Sequence, residues 1–436
     1  MASNQASTAR AKLADAAALE TTSRLLAALI NESLALVTIE SPNDVSSLAL
    51  WSRNELNAKS THILVSLRQD SKYELVLPPT QIAGKTIMPT ISPELDPADI
   101  VGPVTVKHSD GREQASYRPE EVFDVVGAWI CGKQPALLAR LRGELQNSAD
   151  NQEEWLQFSL SHPAPVLGAP LIEWEQRCFR GHPTHPMHRS FFATPPMKPI
   201  QIDDIEEFLN AEITIIAVPR ARIHLDGPFE TSLEPLLTKL NLAAVPADHV
   251  LLPCFVEQVP VIHEHFGTDA KVVPSKKKLY GQRQAAMRTV SISGFPFHVK
   301  MALSCTITSA TRTMTPWTAR MCIEVSQLLQ GIAADPDIMP DPDLLWIFRK
   351  VATACSADAD FEEAKHLSVM LREDLEPRAR ELGQCFVLPA TLFEVGGKDR
   401  IAHVVRLFSL KTLEACKAWF REYVTPPHSP FTCHVT

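Results

Sequence analysis

Apolar positions recur at helical spacing over residues 8–37. Leu13, Leu19, Leu25, Leu26, Ile30, Leu34 and Leu36 mark one face of a long amphipathic helix, which Pro42 ends. The period then shortens. THILVSLR (61–68) and YELVLP (73–78) read as two strands joined in a hairpin around 69–71, and a proline-rich loop covers 78–103. YRPEEVFDVVGAWI (117–130) and PALLARLRGELQNSADNQEEW (135–155) return to helical spacing. AEITIIAVP (211–219) and HVLLPCFV (249–256) predict strands. The clearest two-residue alternation follows a turn at 294–297: Val299, Met301, Leu303, Cys305 and Ile307 alternate with Lys300, Ala302, Ser304, Thr306 and Thr308. The polar face puts Lys300 and Thr308 on one side with small residues between them, which leaves room for a guest. From 313 the spacing reads as helical, with two helices in 343–383 broken near 356–360 and a last one over 398–424.

Composition narrows the class. The chain has 436 residues, enough for two or three domains, with 45% apolar and 21% charged residues, the balance of a soluble globular protein. Its 34 prolines are spread along the chain and read as stiff loops and helix stops. A net charge of −9 argues against a nucleic-acid partner, which calls for an excess of Lys and Arg, yet is compatible with a local basic pocket. The nine cysteines form no CxxC pair and read as buried free thiols of a reducing compartment. No signal peptide and no apolar run of membrane-spanning length stand out, so a cytoplasmic location is expected, with no membrane partner.

The densest chemistry lies in Gly181-His182-Pro183-Thr184-His185-Pro186. Each proline fixes its own φ and biases the residue before it towards an extended backbone. With Arg180, His188 and Arg189 alongside, this is a rigid, positively chargeable segment whose natural guest is an anion. His182, His185 and His188, with Cys178 near, could instead be metal ligands, but His-Pro stiffness works against convergence of three rings and no metal ligand set is assigned. HEHF (263–266) is read as a surface turn.

The run resembles the GHPxHP signature of the siderophore synthetases that work without a nonribosomal peptide synthetase, the IucA/IucC family. AAMRTVSISGFPFHVKMALSCTITSATR (285–312) resembles that family's Arg-Thr pair, later Lys on a strand, and Thr-Ser-x-x-Arg. HLSVMLREDLEP (366–377) resembles its Leu-Arg-Glu motif. The three stand in the family's order and cover 160–424. The resemblance implies an α+β, multidomain protein: the thumb and fingers of a cupped-hand synthetase with most of the palm domain missing. The expected divisions are a thumb-like domain at 1–160, a fingers-like domain with the ATP motifs at 161–385, and the start of a palm-like domain at 386–436.

It also implies an ATP-dependent ligase that activates a carboxylate of citrate or a related polycarboxylic acid as an acyl-adenylate and condenses it with an amine or alcohol. A homodimer is compatible with this reading. By resemblance, His182, His185, Lys300 and Arg312 are catalytic, Arg189, Arg288, Thr289 and Thr308 bind ATP, and Arg372 binds a substrate carboxylate. The chemistry calls for cations where charge develops on phosphorus, and Arg and Lys supply it as a fork and as a point charge. Mg²⁺ ligands are expected in the palm.

Departures are several. Arg189 and Phe191 stand at the family's Lys-x-Arg, Ala286 replaces a serine, and only Pro253 and Gln258 remain of a Pro-Val-His-Pro-Trp-Gln stretch. The final residues do not match the His-x-Gln-Asn and Arg-Asp motifs, so impaired catalysis is the expectation. The alternative is a non-catalytic remnant or regulatory partner of a full-length synthetase.

Overall fold

The structure is a computed structural model; it describes residues 2–41, 44–53, 60–69, 71, 73–76, 90–132, 134–166, 168–193, 195–198, 202, 205–306, 314–340, 345–357, 360–388 and 391. The first helix runs Ala2–Asn31 and stops short of the predicted end. The Asn31 side chain donates to the Leu95 carbonyl (3.0 Å) and accepts from its N–H (2.8 Å), and Ser33 turns into positive φ. Leu34 is therefore exposed and Leu36 opens a strand, Leu36–Ser41, so the helical period had been carried one turn too far.

That strand heads an antiparallel five-stranded sheet in the order Leu36–Ser41, Asp44–Trp51, His62–Leu67, Ile100–Lys107, Glu113–Ser116. The predicted hairpin between 61–68 and 73–78 does not form. His62–Leu67 pairs with Asp44–Trp51 and Ile100–Lys107, while Glu74–Val76 pairs with Thr90–Ser92. The expected loop at 78–103 thus contributes to two strands. Helices Pro119–Cys131 and Pro135–Ser161 each begin at a proline, which loses nothing at a position whose N–H has no helical partner. With the first helix they cover one sheet face through Leu25, Leu26, Leu48, Ile63, Val122 and Leu145.

The second core is built on a nine-stranded antiparallel sheet among the described residues. Its order is Ile223–Asp226, Lys350–Ser356, Ser368–Glu373, Phe297–Met301, Thr289–Ser291, Leu279–Arg283, Asn210–Pro219, His249–Phe255, with Lys271–Val272 added to Asn210–Pro219. The two helices expected within 343–383 are mainly strands, Lys350–Ser356 and Ser368–Glu373, with only short helical turns at Phe361–Ala364 and Glu376–Glu381. Val299, Met301, Val369, Leu371, Ala352 and Ala354 all point into one core with helix Phe229–Leu240. Their neighbours in sequence point the other way, where helix Pro316–Ala334 packs over one end through Ala319 beside Cys355 and Met370.

The predicted 299–308 strand breaks after Met301. Ala302, Leu303 and Ser304 are buried outside any strand, and Cys305–Thr306 pairs instead with Phe192–Ala193. The 263–266 stretch ends the helix Val259–Phe266 and is not a turn. The predicted helix over 398–424 and nearly all of 386–436 lie outside the described residues. Among the described residues no helix is long and apolar enough to cross a membrane. The cysteines described are free thiols, and burial pushes the Cys305 and Cys355 thiols up to about 12.

The break after Met301 is held by Gln258, 1% exposed. Its amide donates to Ser304 Oγ (2.7 Å) and the His366 carbonyl (2.9 Å), and its oxygen accepts from Ser304 N (2.7 Å). Gln258→Leu takes the partner from buried Ser304 N and from the His366 carbonyl, while Ser304 Oγ keeps His366 Nδ1 (2.6 Å), and is expected to lower the free energy of unfolding by about 2 kcal/mol. Urea denaturation reads it, and an unchanged midpoint would show that the network contributes nothing.

Candidate functional site

The Gly181–Pro186 segment leaves a short helix, Leu171–Gln176, and folds against the N-terminal helix. Arg24, buried, donates to the carbonyls of His182 (3.0 Å) and Arg180 (3.3 Å), and Arg180 pairs with Glu20 (2.8 Å). Gly181 has φ +65, and a Cβ there would stand 2.5 Å from the His188 carbonyl, so only glycine fits.

The histidines divide into two kinds. His188 is buried; its Nδ1 meets the Arg180 carbonyl (2.7 Å) and its Nε2 the Thr21 hydroxyl (3.1 Å). A carbonyl only accepts, so Nδ1 carries the proton. Burial, then the charge of Arg24, pulls the His188 pKa well below the ordinary value, so the ring is neutral and structural. His182 is exposed and His185 half-buried. His182 Nδ1 accepts from the His185 and Thr184 N–H groups (3.1 and 3.3 Å), and His185 Nδ1 from Met187 N (3.1 Å). Each neutral ring therefore holds its proton on Nε2. The rings sit edge to face at 6.0 Å. Arg189 is 4% exposed; it donates to the Phe179 carbonyl (3.1 Å) and lies over the Trp155 ring at 4.1 Å. That placement favours a role in holding the loop.

Lys300, Thr289 and Arg372 share the sheet face turned away from the core. Thr289 pairs with Lys300, Lys300 with Met370, and His298 with Arg372, and cross-strand partners point to the same side. Arg372 is on a strand, not a helix, and pairs with neither Glu373 nor Glu376. Its guanidinium donates to Gln284 Oε1 (2.8 Å) and reaches His298 Nδ1 (3.1 Å), to which Gln284 Nε2 also donates (2.9 Å). Two donors converge on Nδ1, so His298 carries its proton on Nε2, facing Asp374 at 3.5 Å. Arg372 Nε is buried with no acceptor among the described residues.

Lys300 has no ion-pair partner among the described residues. Burial lowers its pKa first, and the nearby charges of Arg288, Arg372 and Lys350 lower it further, which places these four cations in one field. Thr308 and Arg312 lie outside the described residues.

The two motif segments are stitched together. Glu175 accepts from Ala285 N (3.0 Å), Gln176 donates to the Arg283 carbonyl (3.2 Å), and the Glu175 charge acts on Arg372. The pairing of Phe192–Ala193 with Cys305–Thr306 makes a second joint. A cavity of about 420 Å³ lined by Thr61, His108, Glu121 and Trp129 lies in the N-terminal unit, away from this face.

Sequence reasoning missed Arg24, Glu20, Gln284, His298 and Lys350. A signal for Arg24 was present, since Thr21, Thr22, Ser23 and Arg24 interrupt the helix with polar residues that prove buried. For Lys350 it was the β-branched and small residues of KVATACS.

Comparison with known proteins bears on the family and the fold. The fold is that of solved siderophore synthetases. The petrobactin biosynthesis protein AsbB from Bacillus anthracis matches with a TM-score of 0.59 at 13% identity, over 84% of this chain and 59% of that one. ATP-bound aerobactin synthetase IucA from Klebsiella pneumoniae matches with a TM-score of 0.60 at 13% identity, over 93% of this chain and 70% of that one. The NRPS-independent siderophore synthetase-like protein ankE of Aspergillus thermomutatus is 30% identical over 432 residues, 94% of this chain and 67% of its own length. The IucA / IucC family model matches residues 170–394, and the chain belongs to that family.

Lys300 ionised is penalised in the folded state at neutral pH, because its folded pKa lies below the ordinary 10.5. The penalty is full below the folded pKa and disappears as pH rises through it towards 10.5. Lys300→Met is therefore expected to raise the urea midpoint of the ligand-free protein at pH 7, with the gain shrinking on the alkaline side. A lower midpoint at every pH would contradict the assignment.

Proposed function

We propose that the chain is an ATP-dependent ligase that activates a carboxylate of citrate or a related polycarboxylic acid and joins it to an amine or alcohol, as in siderophore biosynthesis. The observation that carries this is the sheet face that Lys300, Thr289 and Arg372 share, where Lys300 has no ion-pair partner among the described residues and feels the charges of Arg288 and Arg372. A face of that kind stores affinity for an anion, because an incoming phosphate or carboxylate relieves repulsion the fold already bears. The residues are those that resemble the family's ATP motif, and a structural neighbour is described as ATP-bound.

In this reading ATP supplies the adenylyl group: a carboxylate oxygen attacks the α-phosphorus, pyrophosphate leaves, and the amine or alcohol then displaces AMP. Lys300 and Arg288 hold phosphate oxygens and compensate charge in the transition state. His182 and His185 offer Nε2–H donors from a loop whose stiffness holds them in place. Arg189 positions that loop, and Arg372 takes a substrate carboxylate. Thr308 and Arg312 carry their expected roles by resemblance alone. The divisions at 1–160 and 161–385 serve as thumb and fingers that meet at the His182 loop. By resemblance alone, Mg²⁺ would share this charge compensation with Lys and Arg; among the described residues no group of three or more His, Cys, Asp or Glu could hold a metal ion.

The test is pyrophosphate release, or hydroxamate formation, with ATP and a panel of di- and tricarboxylic acids. Carboxylate-dependent release is expected, falling by about 100-fold in Lys300→Met and Arg288→Met. No ATP binding by the wild-type protein, or turnover indifferent to both substitutions, would remove the proposal.

A further inference from the structure

Lys350 belongs to no motif, yet the fold brings it to the candidate site through an irregularity of the sheet. In the pairing of Lys350–Ser356 with Ser368–Glu373, Lys350 faces Arg372 and Ala352 faces Leu371, so Val351 is an extra residue, a β-bulge. Without it, two-residue alternation from Thr353 would turn Val351 to the polar face and Lys350 into the core. With it, Val351 packs against the core and Lys350 joins Arg372 on the polar face. The bulge is pinned, since Lys350 N donates to Ser326 Oγ (3.2 Å) and Ser326 is buried in helix Pro316–Ala334.

Two cations stand side by side here and are treated differently. Arg349 is neutralised by a two-point pair with Glu373 (2.7 and 2.8 Å). Lys350, half-buried, has no carboxylate partner among the described residues, and its charge is felt at Lys300. Next to it, Arg372 Nε has no acceptor among the described residues. Neighbouring strands lie about 4.8 Å apart, so Lys300, Arg372 and Lys350 form a cationic strip roughly 10 Å long. Arg288 and Thr289 mark its nucleotide end, and Lys350 is at the other.

We propose that Lys350 and Arg372 together bind a carboxylate of the acid that is not the one activated, so that the pair selects substrates with more than one carboxylate. This rests on the ligase reading above. The bulge is the device that specifies it, because it alone puts the second cation on this face.

The experiment measures equilibrium binding of citrate, glutarate, acetate and ATP to the full chain, for wild type, Lys350→Gln, Lys350→Arg and Arg372→Gln, alongside circular dichroism of each variant. Lys350→Gln is expected to weaken citrate at least about tenfold, the loss of one charge-assisted contact. It should leave ATP within about twofold, and Lys350→Arg should restore most of the citrate affinity. Acetate, which has no second carboxylate, should bind equally poorly to wild type and Lys350→Gln. Citrate affinity unchanged in Lys350→Gln while Arg372→Gln loses it would overturn the inference and leave the ligase reading standing. An equal loss of ATP and citrate affinity in Lys350→Gln would also overturn it, making Lys350 part of the phosphate site. Absence of both ATP and citrate binding in the wild type would remove the ligase reading and this inference with it.

Discussion

One face of the nine-stranded sheet is committed to the core, and that commitment decides what the other face can be. Val290, Val299, Met301, Val369, Leu371, Ala352 and Ala354 are all nearly or wholly buried on one side. Strand geometry then forces Thr289, His298, Lys300, Met370, Arg372 and Thr353 to the opposite side, whatever their individual preferences. A register slip of one residue would bury Lys300 and Arg372 in that core and expose its apolar set, so the positions of the cations are fixed as strongly as the core itself. The repulsion among them is tolerated because the stabilising burial lies on the far side of the same strands.

The His182 loop depends on a different constraint. It has almost no regular hydrogen bonding of its own, and its order is imposed from outside and by its own side chains. Arg24 takes two of its carbonyls, the rings of His182 and His185 take backbone N–H groups, and Gly181 lets the chain pass over the His188 carbonyl. Proline stiffness, legible at once, supplies only part of this. Most of the rest comes from a helix more than 150 residues earlier in the chain.

That distance explains what the sequence could and could not disclose. The helices at Pro119–Cys131 and Pro135–Ser161 were legible because period and proline starts are local properties. The strands Asn210–Pro219 and His249–Phe255 were legible as continuous apolar runs. Residues 343–383 were misread because Ala, Glu, Lys and Leu are locally helix-forming, whereas Ser368–Glu373 becomes a strand by lying between Phe297–Met301 and Lys350–Ser356. The ordered motifs pointed to Lys300, Arg288 and Arg372. They did not show that His188 is a neutral core residue or that Arg189 is packed on Trp155. Burial of a charged or titratable side chain is set by partners far away in sequence. The bulge at Val351 is less legible still, since one extra residue in a strand leaves no mark in composition.

Ion pairing on this sheet is selective, and the selection separates scaffold from site. Arg283, buried beside Phe208 and Phe255, has Glu257 as a partner, and Arg349 has Glu373. Both pairs tie structural elements together, each cation matched by a carboxylate of the fold. Arg372 is within the fields of Glu175 and Asp374, yet among the described residues its Nε has no acceptor and Lys300 and Lys350 lack carboxylate partners. A fold under selection for stability alone would have no reason to pair the first two arginines fully and leave the other three cations together on a half-buried face. The difference follows if the missing counter-charge arrives with a substrate. Glu175 then has a further meaning. It belongs to the short helix that delivers the His182 loop, it holds Ala285 N at the start of the second motif, and its charge acts on Arg372, so one carboxylate stands where loop and sheet face meet.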